Sequence, residues 1–152
     1  MFRTLERRLD SEPRLRPAAE LFGTLRPLVN DLAVRRTVTH GDFAPWNLRQ
    51  SGGSIAAFDW EDASIEGFPL TDALHHRLQV GLLLNRWSLS EADDCLMSFA
   101  AEPRRSIDRE GASILEALYL MEQAARLVEG GATPVLHTAL LKRVAARLTE
   151  AS

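Results

Sequence analysis

Two regions of the chain carry a helical repeat of apolar residues, and the segment between them carries none. Leu21, Phe22, Leu25, Leu28, Val29 and Leu32 recur at a 3.6-residue spacing. From Leu70 a helical pattern resumes and runs almost to the end. Between these regions Thr37-Val38-Thr39 is a β-branched run that predicts a strand. His40 to Arg49, with Gly41 and Pro45 inside it, predicts a loop. Ser51-Gly52-Gly53-Ser54 signals a turn, followed by a short buried strand at Ile55-Ala56-Ala57-Phe58, with Leu48-Arg49 placed to pair with it as a small hairpin. The expected fold class is therefore mostly α, with a small β-hairpin/loop insert between Thr37 and Phe58.

The helical regions carry their own punctuation. Pro27 interrupts the first stripe and is expected to kink or divide that helix. Later helices are expected from Thr71 to Trp87, from Ser90 with Asp93 at capping-box spacing, and from Asp108 to Glu129 with a stop at Gly130-Gly131. A last one opens at Thr133-Pro134 and runs to Leu148. A length of 152 residues suits one domain, 1–152, with a catalytic-loop region at 37–72 and a C-terminal helical subdomain at 70–150.

Composition narrows the function classes. With 45% hydrophobic and 26% charged residues the chain can build a core. Eighteen basic against 21 acidic side chains give a net charge of −3, and the arginine pairs Arg7-Arg8, Arg35-Arg36 and Arg104-Arg105 are scattered, which argues against a nucleic-acid partner. The single cysteine, Cys95, can form no internal disulfide and reads as a packing residue. The start, Met1 to Arg8, is charged and unlike a secretory signal, and no apolar run is long enough to span a bilayer. The expectation is a cytoplasmic protein without a membrane partner.

The chemistry gathers in the aperiodic segment. Asp42 and Asn47 lie five apart in His40-Gly41-Asp42-Phe43-Ala44-Pro45-Trp46-Asn47, and Asp59 follows the second strand. A loop folded around Pro45 can turn the first two side chains into one cleft. Phosphoryl transfer to an alcohol needs such groups: a carboxylate to orient the hydroxyl and take its proton, and hard oxygen ligands for the Mg²⁺ that accompanies nucleotide phosphates. Taken alone, Asp42 and Asn47 could equally be turn residues bonding their own backbone, and the two carboxylates could serve a metal-dependent phosphoesterase. His75 and His76 are adjacent on a predicted helix and point about 100° apart, which speaks against a shared metal. Trp46, Trp60 and Trp87 are expected to pack in the core.

The segments Val38 to Asn47, Ala57-Phe58-Asp59-Trp60-Glu61 and Gly67-Phe68-Pro69-Leu70-Thr71-Asp72, in this order, resemble the aminoglycoside phosphotransferase/choline kinase group. They match the protein-kinase pattern H-R-D-x-x-x-x-N followed by a metal-binding Asp, with Gly41 in place of arginine. The resemblance implies the C-terminal lobe of a protein-kinase-like fold and a small-molecule kinase that uses ATP with Mg²⁺ as cofactor and phosphorylates a small hydroxyl-bearing molecule. By position, Asp42 resembles the catalytic base, and Asn47 and Asp59 resemble the Mg²⁺ ligands. His40 and Asp72 resemble supporting residues, and Glu61 a contact to a cationic acceptor.

One part of that pattern is missing. The family's N-terminal lobe brings a glycine-rich loop and a strand lysine to the nucleotide, yet the 36 residues before Thr37 contain no lysine and one glycine, Gly23. The only lysine is Lys142. Arg35 and Arg36 offer charge, but a planar fork where lysine is a point charge. The expected readings are thus a fragment, a shortened member, or half of a composite site. The alternative is a catalytically inactive kinase-like binding or scaffold module. An exposed apolar face is expected where the lobe would sit, and with it self-association or a complementary N-lobe chain.

Overall fold

The computed structural model describes residues 2–102 and 107–150; Met1, Arg104 and Arg105, named above, lie outside them. The chain divides into two compact units, residues 1–32 with 93–152, and residues 33–92. Helix α4 (Leu89–Ala101) runs from the second into the first. Among the described residues no helix is long and apolar enough to cross a membrane.

The first unit is helical: α1 (Phe2–Ser11), a short 3₁₀ turn at Pro13–Leu15, α2 (Arg16–Asp31), α5 (Arg109–Glu129) and α6 (Val135–Glu150). Helix α5 is its centre and packs against α1, α2 and α6. Fourteen of its 21 residues are buried, as expected of a helix apolar on most of its circumference. Fully buried leucines such as Leu9, Leu25, Leu120 and Leu140 each contribute about 1.5–3 kcal/mol. Arg8 ties α1 to α5 through Glu122 and Glu129. Its hydrogen bonds hold the Glu129 carboxyl below the usual range.

Three helix boundaries depart from the sequence pattern, each for a visible reason. Pro27 does not divide α2: Ala18, Phe22, Leu25 and Val29 line one buried face on both sides of it. Burial of that face offsets the roughly 3 kcal/mol cost of an internal proline. The cap of α4 is Ser88, not Ser90. Glu91 accepts from the Ser88 backbone N–H at 2.7 Å while Ser88 Oγ accepts from the Glu91 N–H at 3.3 Å. Asp93 is instead bonded by Arg143 and Arg147 of α6. The helix expected over Thr71 to Trp87 is α3 (Thr71–Gln79) continued by a wide π turn at Val80–Leu84. There Trp87 folds back so closely that a Cβ on Gly81 would stand 1.9 Å from its ring. The boundaries of α5 agree with expectation: Asp108 caps it by accepting from Gly111 N–H at 2.8 Å.

The second unit holds the β-structure. Strand β1 (Thr37–Thr39) pairs antiparallel with β4 (Ser64–Gly67), and β2 (Leu48–Ser51) with β3 (Ser54–Ala57). Gly52 and Gly53, both at positive φ, make the tight turn of the second pair, as hairpin geometry requires. The buried strand expected at Ile55 to Phe58 is corrected: β3 is exposed, with Ile55 at 69% and Phe58 at 52%. A two-stranded ribbon without a second layer leaves its faces to solvent. Trp46 and Trp60 are also exposed rather than core residues.

The Asp108 cap generates a stability test. Asp108→Ala is expected to cost about 1 kcal/mol, read as a lowered urea midpoint at unchanged slope; a midpoint identical to the parent's would show that the cap contributes nothing.

Candidate active site

The loop after β1 is built around a glycine. Gly41 has φ +86°, and a Cβ there would stand 2.3 Å from the carbonyl oxygen of Asp62. Both facts exclude a side chain. The bend exposes two successive backbone N–H groups, and Asp72 in the first turn of α3 accepts both. Its Oδ2 takes the His40 N–H at 2.8 Å and its Oδ1 the Gly41 N–H at 3.1 Å. One carboxylate thus fixes the loop to the helix.

His40 holds the next segment. Its ring is 1% exposed, and Nε2 lies 2.7 Å from the carbonyl oxygen of Phe58. A carbonyl only accepts, so Nε2 carries the hydrogen. Phe58 N–H in turn donates to Asn47 O at 2.9 Å. The residue before Asp59 is therefore held at both its backbone groups, one by His40 and one by Asn47.

Asp59 itself lies two residues beyond β3, at φ +61°, a backbone region that aspartate tolerates better than most residues. Trp60 closes the turn around it by donating its indole N–H to Ala57 O at 2.9 Å, and the Trp60 ring packs on His40 with centroids 4.6 Å apart.

Asp42 and Asn47 meet directly. Pro45–Asn47 forms a 3₁₀ turn that swings Asn47 back, so that its Nδ2 donates to Asp42 Oδ2 at 2.8 Å and to Asp42 O at 3.0 Å. Both partners are acceptors, which settles the orientation of the amide. Asn47 Oδ1 therefore faces away from Asp42 and makes no hydrogen bond to the described residues. The other oxygen of Asp42, Oδ1, is 2.8 Å from His75 Nε2, and about a third of the Asp42 side chain remains exposed.

Of the residues singled out in the sequence, Asp42 and Asn47 are in contact, and His40 and Asp72 brace the same loop. Asp59 is tethered beside them through Phe58, its carboxylate making no hydrogen bond to the described residues. Glu61 is exposed and bonds to none of them. Arg36 is not free to replace a nucleotide lysine: its guanidinium stacks over the Phe68 ring at 3.8 Å, and burial pushes its pKa down, countered by Glu66.

Sequence reasoning missed His75. The available signal was its position three residues after Asp72, one helical turn on, which puts both side chains on the same face.

Residues 2–110 match the phosphotransferase enzyme family, well over half of the chain. The chain belongs to the phosphotransferase enzyme family. The resemblance read from Val38 to Asp72 lies inside the matched span. No curated protein and no solved structure matches this family member.

A magnesium ion is implied by such a family, and the donor chemistry fits one. Asn47 Oδ1 and the Asp59 carboxylate are hard oxygens outside the internal hydrogen-bond network. Among the described residues no group of three or more His, Cys, Asp or Glu could hold a metal.

The double acceptor at Asp72 is the part of this phosphotransferase loop easiest to test. Asp72→Ala leaves two backbone donors without their partner and is expected to cost about 2 kcal/mol or more, with Asp72→Asn losing less. Equal urea stability of the parent and both variants would show that the loop is held by something else.

Proposed function

We propose that this chain is the catalytic lobe of an ATP- and Mg²⁺-dependent small-molecule kinase, transferring the γ-phosphoryl group to a hydroxyl of its acceptor. The observation that supports this reading is the Asp42–Asn47 pair. A carboxylate about one-third exposed is held by an amide nitrogen whose own oxygen is left over for a cation. Asp42 orients the acceptor hydroxyl and takes its proton as the bond to phosphorus forms. Asn47 and Asp59 hold Mg²⁺, which when bound neutralises charge on the phosphate oxygens. Asp72 and His40 keep the loop and the Asp59 turn in place, and Glu61 is available to a cationic acceptor.

A second reading, a non-catalytic binding module, is favoured by one observation. The residues before β1 fold as two helices, with neither a glycine-rich loop nor a lysine among them, and Lys142 lies on α6. Phosphate positioning supplies much of the catalysis in this reaction class, so a site for which no segment supplied it would bind without turnover. The acceptor itself is not written in these residues.

One experiment separates the two. Asp42→Asn is expected to lower ADP release in a coupled assay by 10²-fold or more, while Mg²⁺-dependent ATP binding by calorimetry stays near the parent value. Turnover within a few-fold of the parent in Asp42→Asn would remove Asp42 as the base. ATP binding without turnover in the parent would favour the binding module.

A further inference from the structure

Asp42 is gripped from two sides, and only one of the grips belongs to the loop that carries it. Asn47 Nδ2 holds Oδ2 at 2.8 Å, while His75 Nε2, from α3, holds Oδ1 at 2.8 Å. The His75 side chain is 5% exposed, against about a third for that of Asp42. A carboxylate with a donor on each oxygen cannot rotate about its Cβ–Cγ bond, or leave its rotamer, without breaking one of the two bonds. It has about four lone-pair positions, so two donors leave others open.

We infer that His75 is a positioning residue for Asp42: its Nε2–H, donated to Oδ1, fixes the carboxylate plane so that the remaining lone pairs meet the acceptor hydroxyl in one direction. The inference rests on the reading of Asp42 as the base. His75 touches no substrate and moves no proton; it acts through Asp42. Its own position is secured by the element that bears it, because Asp72, one turn earlier on α3, is bound to the N–H groups of His40 and Gly41. Helix and loop thus clasp each other twice, through the backbone by Asp72 and through the side chain of Asp42 by His75. A displacement of about 1 Å at a reacting group can cost about 10²-fold in rate, which sets the scale of the effect.

The test compares the parent with His75→Gln, whose side-chain N–H₂ can reach the place of Nε2, and His75→Phe, which keeps a flat ring and removes the donor. Two properties are read: the NMR shifts of the Asn47 side-chain N–H₂, which report on Asp42 Oδ2, and the steady-state kcat and KM. His75→Phe is expected to move the Asn47 signals towards those of a free amide and to lower kcat by about 10²-fold with KM little changed. His75→Gln is expected to restore most of both. Unmoved Asn47 signals in His75→Phe overturn the inference, whatever the turnover. Signals that move in His75→Phe and return in His75→Gln, in a protein whose parent transfers no phosphoryl group, uphold the positioning role and overturn the kinase reading instead. Should His75→Phe not fold, the ¹⁵N spectrum of the His75 ring decides. A protected Nε2–H that is lost in Asp42→Ala, which removes the acceptor, supports the inference, and an Nε2 without hydrogen overturns it.

Discussion

The Asp72 carboxylate and the two N–H groups it accepts carry the rest of the second unit. The bend at Gly41 turns the His40 and Gly41 amides in one direction, which leaves two adjacent donors in need of an acceptor. A charged acceptor with two oxygens meets that need in one side chain, and charge-assisted bonds are about twice as strong as neutral ones. Without it the loop would be linked to α3 through the His75–Asp42 bond alone among the hydrogen bonds described above. Of the contacts around Asp42, the one from His75 presumes that loop and helix are already in register.

The loop is made of parts that do several jobs at once. Asn47 holds the Asp42 side chain with its amide nitrogen and the Phe58 N–H with its backbone carbonyl. His40 gives its backbone N–H to Asp72, its Nε2–H to Phe58 O and a ring face to Trp60. Such sharing explains why the segment shows no periodicity. Its residues are chosen for contacts to three different elements, and neither a helix nor a strand repeat could satisfy them together.

What was legible in the sequence was local. Strand β1, the hairpin with its Gly52-Gly53 turn, and the Asp108 cap each depend on residues within a few positions of one another. The pairing of β1 with β4 and the His75–Asp42 bond join residues about 25 to 35 positions apart; no short window announces the first, and for the second the one local signal is the spacing of His75 from Asp72. The cap of α4 was misplaced because Ser88/Glu91 and Ser90/Asp93 satisfy the same spacing. Only Arg143 and Arg147, fifty residues or more downstream, decide that Asp93 is occupied elsewhere. The tryptophans misled for a related reason: aromatic bulk favours burial in general, but Trp60 is held at the surface by its indole bond to Ala57 O and its packing on His40.

The division of the chain has a consequence for how it is made. Residues 33–92 are contiguous, whereas the other unit unites residues 1–32 with 93–152. On the ribosome α1 and α2 emerge before α5 and α6, so Leu9, Phe22, Leu25 and Val29 at first lack the helices that cover them. They must wait while the whole intervening stretch is translated, and closing so long a connection is slow as well as entropically costly. The loop-bearing segment, being contiguous, can therefore acquire its shape before the helical unit is complete.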